Sequence, residues 1–320
     1  MDLFRQGYDE NRKRIVDLNK IVESSRFFEK YIDIVGEYND VEAEIYLAEA
    51  SAYTGDLIAA RRKVDRLLET EKVENVGTFA RLLALHNDMK IHLDDIESMI
   101  SVNNKVLLNS NFNKVYITIY LDSLEAAAKD DEIISIVTKS EKVNGFDEKI
   151  QSYKCLALSE SSIEIANQCF LKMFEHDKNM SIDTYMYLLS SLLELNKIRS
   201  FKEVFGSANQ LFKGVLDIAL FEGQLFLKQK KYNKALKVFN KLESISPEDY
   251  WEVGPVLYRF RKKAKLAEAE VLYYLNQPRK ANALLEELFL LDDSDLLKLE
   301  VKRLIEQFNA DNRTPNKTEE

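Results

Sequence analysis

Apolar residues recur at helical spacing along almost the whole chain, in blocks of about 12 to 16 residues. Short polar joints separate these blocks, among them Thr54-Gly55-Asp56, Lys129-Asp130-Asp131 and Leu275-Asn276-Gln277. The joints are too short to link domains, and each has the length of a turn between two antiparallel helices. The pattern therefore predicts a chain of helical hairpins.

The composition excludes most other folds. The 320 residues include 9 Gly and 4 Pro, where average usage would give about 38 in total. A sandwich or barrel of this size needs many tight turns, and such turns depend on these residues. Hydrophobic residues make up 46% of the chain, which is enough for a core and too many for a disordered protein. An all-α fold remains.

The hairpins recur at a nearly constant period. The packing residue early in each predicted second helix is Ala60, Ile96, Ile133, Ala166, Phe201, Ala235 or Ala281, and the gaps are 36, 37, 33, 35, 34 and 46 residues. An irregular helix bundle has no reason to keep such a period. The long last gap predicts an insertion near residues 250–261. The register of the copies around 77–140 is set mainly by interpolation.

The clearest copy, Val215 to Glu248, resembles a tetratricopeptide repeat, whose unit is a helical hairpin of 34 residues. The residues that carry the resemblance are Ala219, Gly223 and Phe226 in the first helix, Tyr232, Ala235 and Phe239 in the second, and Pro247 at the end. Small residues at Gly223 and Ala235 would let the two helices approach closely. Weaker copies extend across about 40–290. The resemblance implies a right-handed α-solenoid of about seven hairpins.

This repeat defines the expected domains. Residues 37–292 form the solenoid, and 1–36 form an N-terminal helical cap, with one or two amphipathic helices from Asn11 to Gly36. Residues 293–309 form a C-terminal capping helix. Terminal helices of this kind cover the apolar face that an end repeat would otherwise expose. Residues 310–320 have almost no apolar side chains and are expected to be disordered.

Charge and reactive groups exclude several functions. The formal net charge is −9, which disfavours a nucleic-acid binder. No apolar stretch is long enough to enter a membrane as a span, and Cys155 and Cys169 are expected to be reduced thiols, so we predict a cytoplasmic protein. The motifs of nucleotide, metal and nucleophile sites are missing, and the three His residues are not at metal spacing. We expect no enzyme activity, no catalytic residue, no cofactor and no metal.

The resemblance also implies a binding surface, because in this family the first helices line a concave groove that commonly holds a peptide. Projected onto this chain, the partner-binding residues are Glu49, Tyr53, Arg81, Leu85, Asp88, Asp122, Glu125, Met186, Glu194, Leu220, Gln224 and Leu227. The wider projection adds Glu42, Ile45, Thr118, Cys155, Asp183, Ser190, Asp217, Lys228, Glu270 and Tyr273. Nine of these 22 residues are acidic and two are basic. A protein or peptide partner with basic and apolar residues would fit such a groove.

A second patch is a candidate of a different kind. Arg259, Lys262 and Lys263 could form one basic stripe on a helix, beside the single tryptophan, Trp251. Such a run is either a solvated helix face or a docking point for an acidic partner.

The sequence thus favours a non-catalytic scaffold or adaptor that acts by protein–protein interaction. A peptide-sensing regulatory protein and a secretion or assembly chaperone are the alternatives. The usage of Lys, Asn and Ile suggests a bacterial source. The oligomeric state stays open.

Overall fold

The computed structural model describes residues 8–9, 14–15, 18–36, 40–70, 75–244, 255–291 and 295–311. These residues contain sixteen helices and one antiparallel pair of two-residue strands, β1 (Tyr8–Asp9) and β2 (Arg14–Ile15), in which Tyr8 is opposite Ile15. The chain divides into two compact units, which we call unit 1 (Met1–Ser162) and unit 2 (Ile163–Glu320). Each is a stack of helical hairpins.

Unit 1 contains eight described helices, which are α1 (Leu18–Val35), α2 (Val41–Tyr53), α3 (Leu57–Thr70), α4 (Val76–His92), α5 (Ile96–Asn109), α6 (Lys114–Ala126), α7 (Asp130–Asn144) and α8 (Glu148–Ser159). Three hairpins, α2 with α3, α4 with α5 and α6 with α7, pack in sequence order. Their buried residues form three contiguous apolar clusters that run from α1 to α8.

Unit 2 also contains eight described helices, which are α9 (Ile163–His176), α10 (Ile182–Glu194), α11 (Ile198–Leu211), α12 (Leu216–Lys228), α13 (Tyr232–Glu243), α14 (Pro255–Tyr274), α15 (Pro278–Leu291) and α16 (Asp295–Asp311). Its hairpins are α10 with α11, α12 with α13 and α14 with α15. In the order of the chain, α8 and α9 stand where the fourth of the seven expected hairpins would lie. The all-α repeat fold is confirmed.

The turn within a hairpin has one backbone geometry in both units. Its central residue has a positive φ of 53 to 92° and is Gly55, Asp94, Ala128, Asn196, Lys230 or Asn276. The N–H of this residue donates to the C=O three positions earlier, and the next N–H donates to the C=O five positions earlier. These two bonds define a Schellman motif, which satisfies the carbonyls at a helix end. Because glycine occupies only one of the six positions, the residue types do not disclose this repeat.

The first helices of several hairpins begin with a side-chain N-cap. Side-chain oxygens of Asp40, Asn113, Asp147 and Ser181 accept a hydrogen bond from a backbone N–H in the first turn of α2, α6, α8 and α10. Such N-caps stabilise a helix by about 1 kcal/mol each. In α2, α6 and α10, a side-chain cap before the helix and a Schellman turn after it thus fix both ends.

Close packing inside the clearest hairpin depends on Gly223. A Cβ placed on Gly223 of α12 would lie 2.3 Å from Cε1 of Phe239 on α13. Phe239 and Ala235 are themselves completely buried. The prediction that a small residue at 223 lets the two helices approach is therefore confirmed in atomic detail.

The first described helix of unit 1 and the last described helix of unit 2 each pack against a hairpin of their own unit. Ile21, Phe28 and Ile32 of α1 are buried against α2. In unit 2, Tyr273 of α14 stacks on Phe308 of α16 at 3.8 Å between ring centroids and donates a hydrogen bond to its carbonyl. The described helix begins at Leu18 rather than near Asn11.

Other boundaries fall partly outside the described residues. Helix α16 continues to Asp311, two residues past the predicted end of the C-terminal cap. Residues 312–320 of the predicted tail, Pro247 and residues 250–254 of the predicted insertion lie outside the described residues. The rest of the predicted insertion belongs to α14, which is the longest described helix with 20 residues.

The cysteines differ from the expectation. Cys155 and Cys169 are both disulfide-bonded, so the prediction of reduced thiols is wrong for this structure. That prediction weighed only the number of cysteines and their separation in sequence. Whether a thiol meets a partner depends on the distance between side chains in the fold, which neither quantity determines.

Candidate functional site

Helices α10, α12, α14 and α16 of unit 2 surround a concave pocket of about 620 Å³. On each of the first three helices, the lining residues lie at positions i, i+3, i+4 and i+7, which share one helix face. They are Asp183, Met186, Tyr187 and Ser190 on α10, Asp217, Leu220, Phe221 and Gln224 on α12, and Lys263, Leu266, Ala267 and Glu270 on α14. Helix α16 adds Arg303 and Leu304. Equivalent faces of three successive first helices therefore form the pocket.

These four positions define rows across the three helices. The second and third rows are mainly apolar and comprise Met186, Leu220 and Leu266, then Tyr187, Phe221 and Ala267. The first row is charged, with Asp183, Asp217 and Lys263, and the fourth row is polar, with Ser190, Gln224 and Glu270. The pocket thus has an apolar middle between two polar edges, which is the usual layout of a binding site that orients its ligand.

Several residues projected from the sequence meet in this pocket. Met186, Leu220 and Gln224 line it, as do Asp183, Ser190, Asp217 and Glu270 of the wider projection. Glu194 is exposed near the end of α10 and is not a lining residue. Leu227 is half-buried and packs against the apolar cluster of α12 to α14.

The sequence projection missed the third row and most of the α14 face. Tyr187 and Phe221 each follow a projected residue by one position, and their aromatic side chains at helical spacing were the available signal. On α14, the sequence projects only Glu270 and Tyr273 onto the groove, because the predicted insertion obscures the register there. The pocket face of α14 instead runs from Lys263 to Glu270. Arg303 and Leu304 lie in α16, which the sequence predicts only as a capping helix.

The charged side chains of the pocket differ in how close their nearest opposite charge lies. Lys263 lies 3.9 Å from the carboxylate of Asp217, measured from Nζ to Oδ1, and both side chains are partly exposed. Burial raises the pKa of Glu270, and the positive charges of Lys228 and Arg303 oppose that rise without cancelling it. A carboxyl group whose pKa rises in this way is short of stabilising partners.

Tyr187 offers an aromatic surface at the pocket wall. Its side chain is 53% exposed, although it lines the pocket, and its ring stacks on Phe170 of α9 with 6.2 Å between centroids. Stacking on a buried ring holds Tyr187 in place, while the remaining face stays open to a ligand. Rigid, half-open aromatic side chains are frequent anchors in interfaces.

In unit 1, the structure brings two projected groove residues together as an ion pair. Arg81 on α4 donates from Nε and Nη2 to the two carboxylate oxygens of Glu49 on α2, at 2.8 and 2.6 Å. The Arg81 guanidinium also lies 4.2 Å from the ring centroid of Tyr46. A two-point pair of this kind is strong because both hydrogen bonds are charge-assisted. Glu49 and Arg81 therefore satisfy each other.

Asp122 on α6 is also engaged within unit 1. The hydroxyl of Tyr153 on α8 donates a hydrogen bond to Oδ1 of Asp122. Burial raises the pKa of Tyr153, and the bond to Asp122 raises it further. The pKa of Glu125 is raised as well, first by burial and then by the nearby charge of Asp122.

Three further projected residues of unit 1, Asp88, Leu85 and Tyr53, each have different surroundings. Asp88 is 70% exposed and lies 3.8 Å from Nε2 of His92. Leu85 packs against the cluster of α2 to α4, and Tyr53 packs against the cluster of α1 and α2. These two residues support the fold of unit 1.

The second patch lies partly outside the described residues. Trp251 lies outside the described residues, and Arg259 belongs to α14 without a described side chain. Lys262 is half-buried, whereas Lys263 reaches the pocket edge beside Asp217. Lys263 therefore belongs with the pocket, and the basic stripe stays a prediction for the other residues.

Within the described part of the chain, no group of three or more His, Cys, Asp or Glu side chains is placed to hold a metal ion. No helix in the same part of the chain is both long and apolar enough to span a bilayer.

Known structures resemble this fold. A tetratricopeptide repeat protein from Parabacteroides merdae aligns with a TM-score of 0.52 at 11% identity, over 82% of this chain and 97% of that one. Yeast Tom70 aligns with a TM-score of 0.51 at 13% identity, over 92% of this chain and 60% of that one. No protein-family model matches the sequence, and no curated protein matches it significantly. The helical hairpins, their period and these neighbours together show that the chain has the tetratricopeptide-repeat fold.

Proposed function

We propose that this protein is a non-catalytic scaffold or adaptor that binds a segment of a partner protein in the pocket of unit 2. The observation that carries the proposal is the repeated pocket face on α10, α12 and α14. Three equivalent helices present the same pattern of an apolar middle and polar edges. A surface that repeats from helix to helix suits a ligand that itself extends across several helices, as a peptide does.

The size and chemistry of the pocket support this proposal. A volume of about 620 Å³ can take several side chains of a bound segment. Met186, Leu220 and Leu266 would contact apolar side chains of that segment, and burial of each such side chain stabilises a complex by about 1.5 to 3 kcal/mol before the entropic cost of binding. The exposed ring of Tyr187 would extend this contact.

The proposed partner has basic as well as apolar residues. Asp183, Asp217 and Glu270 line the pocket, against Lys263 and Arg303, and Lys263 is already close to Asp217. Charge complementarity of this kind acts mainly on the association rate and on specificity. The affinity for the partner should therefore fall as the salt concentration rises.

A matched pair of variants tests the proposal. Met186→Arg places a bulky cation in the middle of the pocket, whereas Leu211→Arg changes an exposed leucine on α11 that does not line it. Each variant and the wild type would be used to capture partners from the native host for mass spectrometry, after circular dichroism has shown equal helicity. We expect Met186→Arg to lose partners that Leu211→Arg retains. Identical partner sets for the two variants would exclude the pocket as the binding site.

The same capture separates the two alternative functions. A short signalling peptide as the ligand would indicate a peptide-sensing regulator. A single folding substrate that co-purifies in stable form would indicate a secretion or assembly chaperone. The cytoplasmic location stays a prediction.

A further inference from the structure

Glu270 has an unusual position for a carboxylate. It lies four residues before the end of α14, lines the pocket and is largely shielded from solvent, so that burial raises its pKa. It is not at a helix N-terminus, where the helix dipole would stabilise its charge. A carboxylate in such a place normally has a cation or several hydrogen-bond donors beside it.

No such partner is present among the described side chains. None of the described cations lies within 4.0 Å of the Glu270 carboxylate, and no described donor forms a hydrogen bond with it. Lys228 and Arg303 act on Glu270 only through their fields, and both are exposed. Lys263, the other cation of the pocket, is next to Asp217. The charge of Glu270 is thus open to a ligand from the pocket side.

The surface beside Glu270 is apolar. Leu266 precedes it by one turn on α14, and Leu220 and Phe221 lie on the neighbouring α12 face. An ammonium or guanidinium group at the end of a flexible aliphatic stem matches this combination, because the stem can lie on apolar side chains while the charge reaches the carboxylate. A small inorganic cation would leave the apolar wall unused.

We propose that a bound partner segment presents a Lys or Arg side chain whose cation pairs with the Glu270 carboxylate and whose methylene stem lies on Leu220 and Leu266. This inference rests on the proposed function, since it names the chemistry that the pocket of unit 2 recognises. The partner's cation supplies the counter-charge that Glu270 lacks within the chain. Arg303 is the competitor for Glu270, because its field already acts on that carboxylate.

A defined peptide probe tests this inference. The full-length protein would be used to select binders from a random library of displayed 12-residue peptides. The best peptide would then be synthesised in two forms, one with its basic residue and one with neutral citrulline or norleucine there. We expect the selected peptides to carry Lys or Arg beside apolar residues. Affinities for both forms would be measured by fluorescence anisotropy with the wild type, Glu270→Gln and Glu222→Gln.

Glu222→Gln is the matched control, because Glu222 is an exposed carboxylate on the first helix α12 that does not line the pocket. We expect Glu270→Gln to weaken binding of the basic peptide about tenfold or more, as loss of one partner of a charge-assisted pair does. Glu222→Gln should change it less than about twofold. The neutral peptide should bind the wild type and Glu270→Gln equally, and Arg303→Gln should strengthen binding of the basic peptide.

The outcomes separate the two proposals. If no peptide is enriched above background, the proposed binding of partner segments is wrong, and this inference fails with it. Enriched peptides without a basic residue, or equal affinities of the basic peptide for the wild type and Glu270→Gln, would overturn the inference alone. Should Glu270→Gln fail to fold, the citrulline or norleucine peptide on the wild type decides the question, since equal binding of both peptides would contradict the pairing.

Discussion

Glu49 in unit 1 and Glu270 in unit 2 hold the same place in their hairpins but have different surroundings. Each lies six residues before the left-handed residue of its turn, Gly55 or Asn276. Glu49 receives two hydrogen bonds from Arg81. Glu270 lies in the wall of an open pocket and has no described cation within 4.0 Å. The same residue type at the same repeat position is structural in one unit and available in the other.

The other two acids at this position in unit 1 differ from each other. Asp122 accepts a hydrogen bond from Tyr153 of α8, whereas Asp88 is 70% exposed and lies 3.8 Å from Nε2 of His92 on its own helix. An excess of acidic residues in a predicted groove is therefore not the same as charge available to a ligand. The neighbouring helix decides which carboxylates are free to recognise a partner.

The largest expected effect concerns the packing of α12, which carries the middle face of the pocket. Gly223→Ala forces a Cβ against the ring of Phe239 and should lower the free energy of unfolding by about 2 to 3 kcal/mol. Gly206→Ala on α11 is the control, because nothing lies within 4 Å of a Cβ there. It should raise stability by about 0.5 to 1 kcal/mol, as an alanine replacing glycine in a helix does. Urea denaturation of both variants measures the difference, and equal effects would contradict the close approach.

The ion pair of unit 1 should have the next largest effect. Arg81→Met leaves the poorly exposed Glu49 without its partner and should cost about 1 to 2 kcal/mol of stability. Arg62→Met, at an exposed arginine of α3, should change stability by less than about 0.5 kcal/mol. A double-mutant cycle with Glu49→Gln measures the coupling between Arg81 and Glu49. A coupling near zero would remove the distinction between the two units.

The hairpin turns should behave alike in both units. Ala128 in unit 1 and Lys230 in unit 2 have φ values of 53 and 57°, where a Cβ is strained. Ala128→Gly and Lys230→Gly should each raise stability by about 1 kcal/mol, and thermal unfolding would show it. Loss of stability in either variant would mean that this turn is not held in the left-handed conformation.

The smallest expected effect is a difference between the two units in how their stability depends on pH. Burial lowers the pKa of His86 on α4 below 6.5, although its bond to Asn87 and the charge of Asp65 oppose the shift, while Lys90 and Arg61 reinforce it. The folded state thus binds fewer protons than the unfolded state, and unit 1 should lose stability as the pH falls below about 6.5. Burial, then the charge of Glu243, raises the pKa of Glu268 on α14 from 4.5 to about 7.

Unit 2 should accordingly lose stability as the pH rises from about 4.5 to 7, because its folded state keeps a proton that the unfolded state releases. Hydrogen exchange measured at several pH values can follow the two units separately. His86→Gln should flatten the acid-side loss in unit 1, and Glu268→Gln should flatten the opposite trend in unit 2. Trends of the same sign in both units would contradict these assignments.

Much of the fold follows from local sequence pattern. The packing residues Ala60, Ala166, Phe201, Ala235 and Ala281 all lie in second helices and are buried. Helical spacing and a period near 34 residues suffice to place them, because the same local packing problem recurs in each hairpin. The sequence also predicts where the hairpin turns lie, but it does not predict that they share one backbone geometry. Glycine, alanine, lysine, asparagine and aspartate all occupy the left-handed position, so no single residue type marks it.

The site was predicted less completely. The sequence projects Met186, Leu220 and Gln224 onto the groove face of first helices, and these residues line the pocket. It assigns Lys263 to a separate patch, because the predicted insertion obscures the register of α14. Arg81 and Asp122 were projected correctly onto first helices, yet their partners come from residues 32 and 31 positions away in sequence. No local pattern reports such a partner.

The sequence by itself determined that this chain folds as stacked helical hairpins, since apolar periodicity and the near absence of glycine and proline act over short distances along the chain. Only the tertiary structure decided which carboxylates are neutralised and which line a pocket. The energy of a charge depends on the cation, the donor or the solvent within a few ångströms of it. In a repeat protein those neighbours come from the next hairpin.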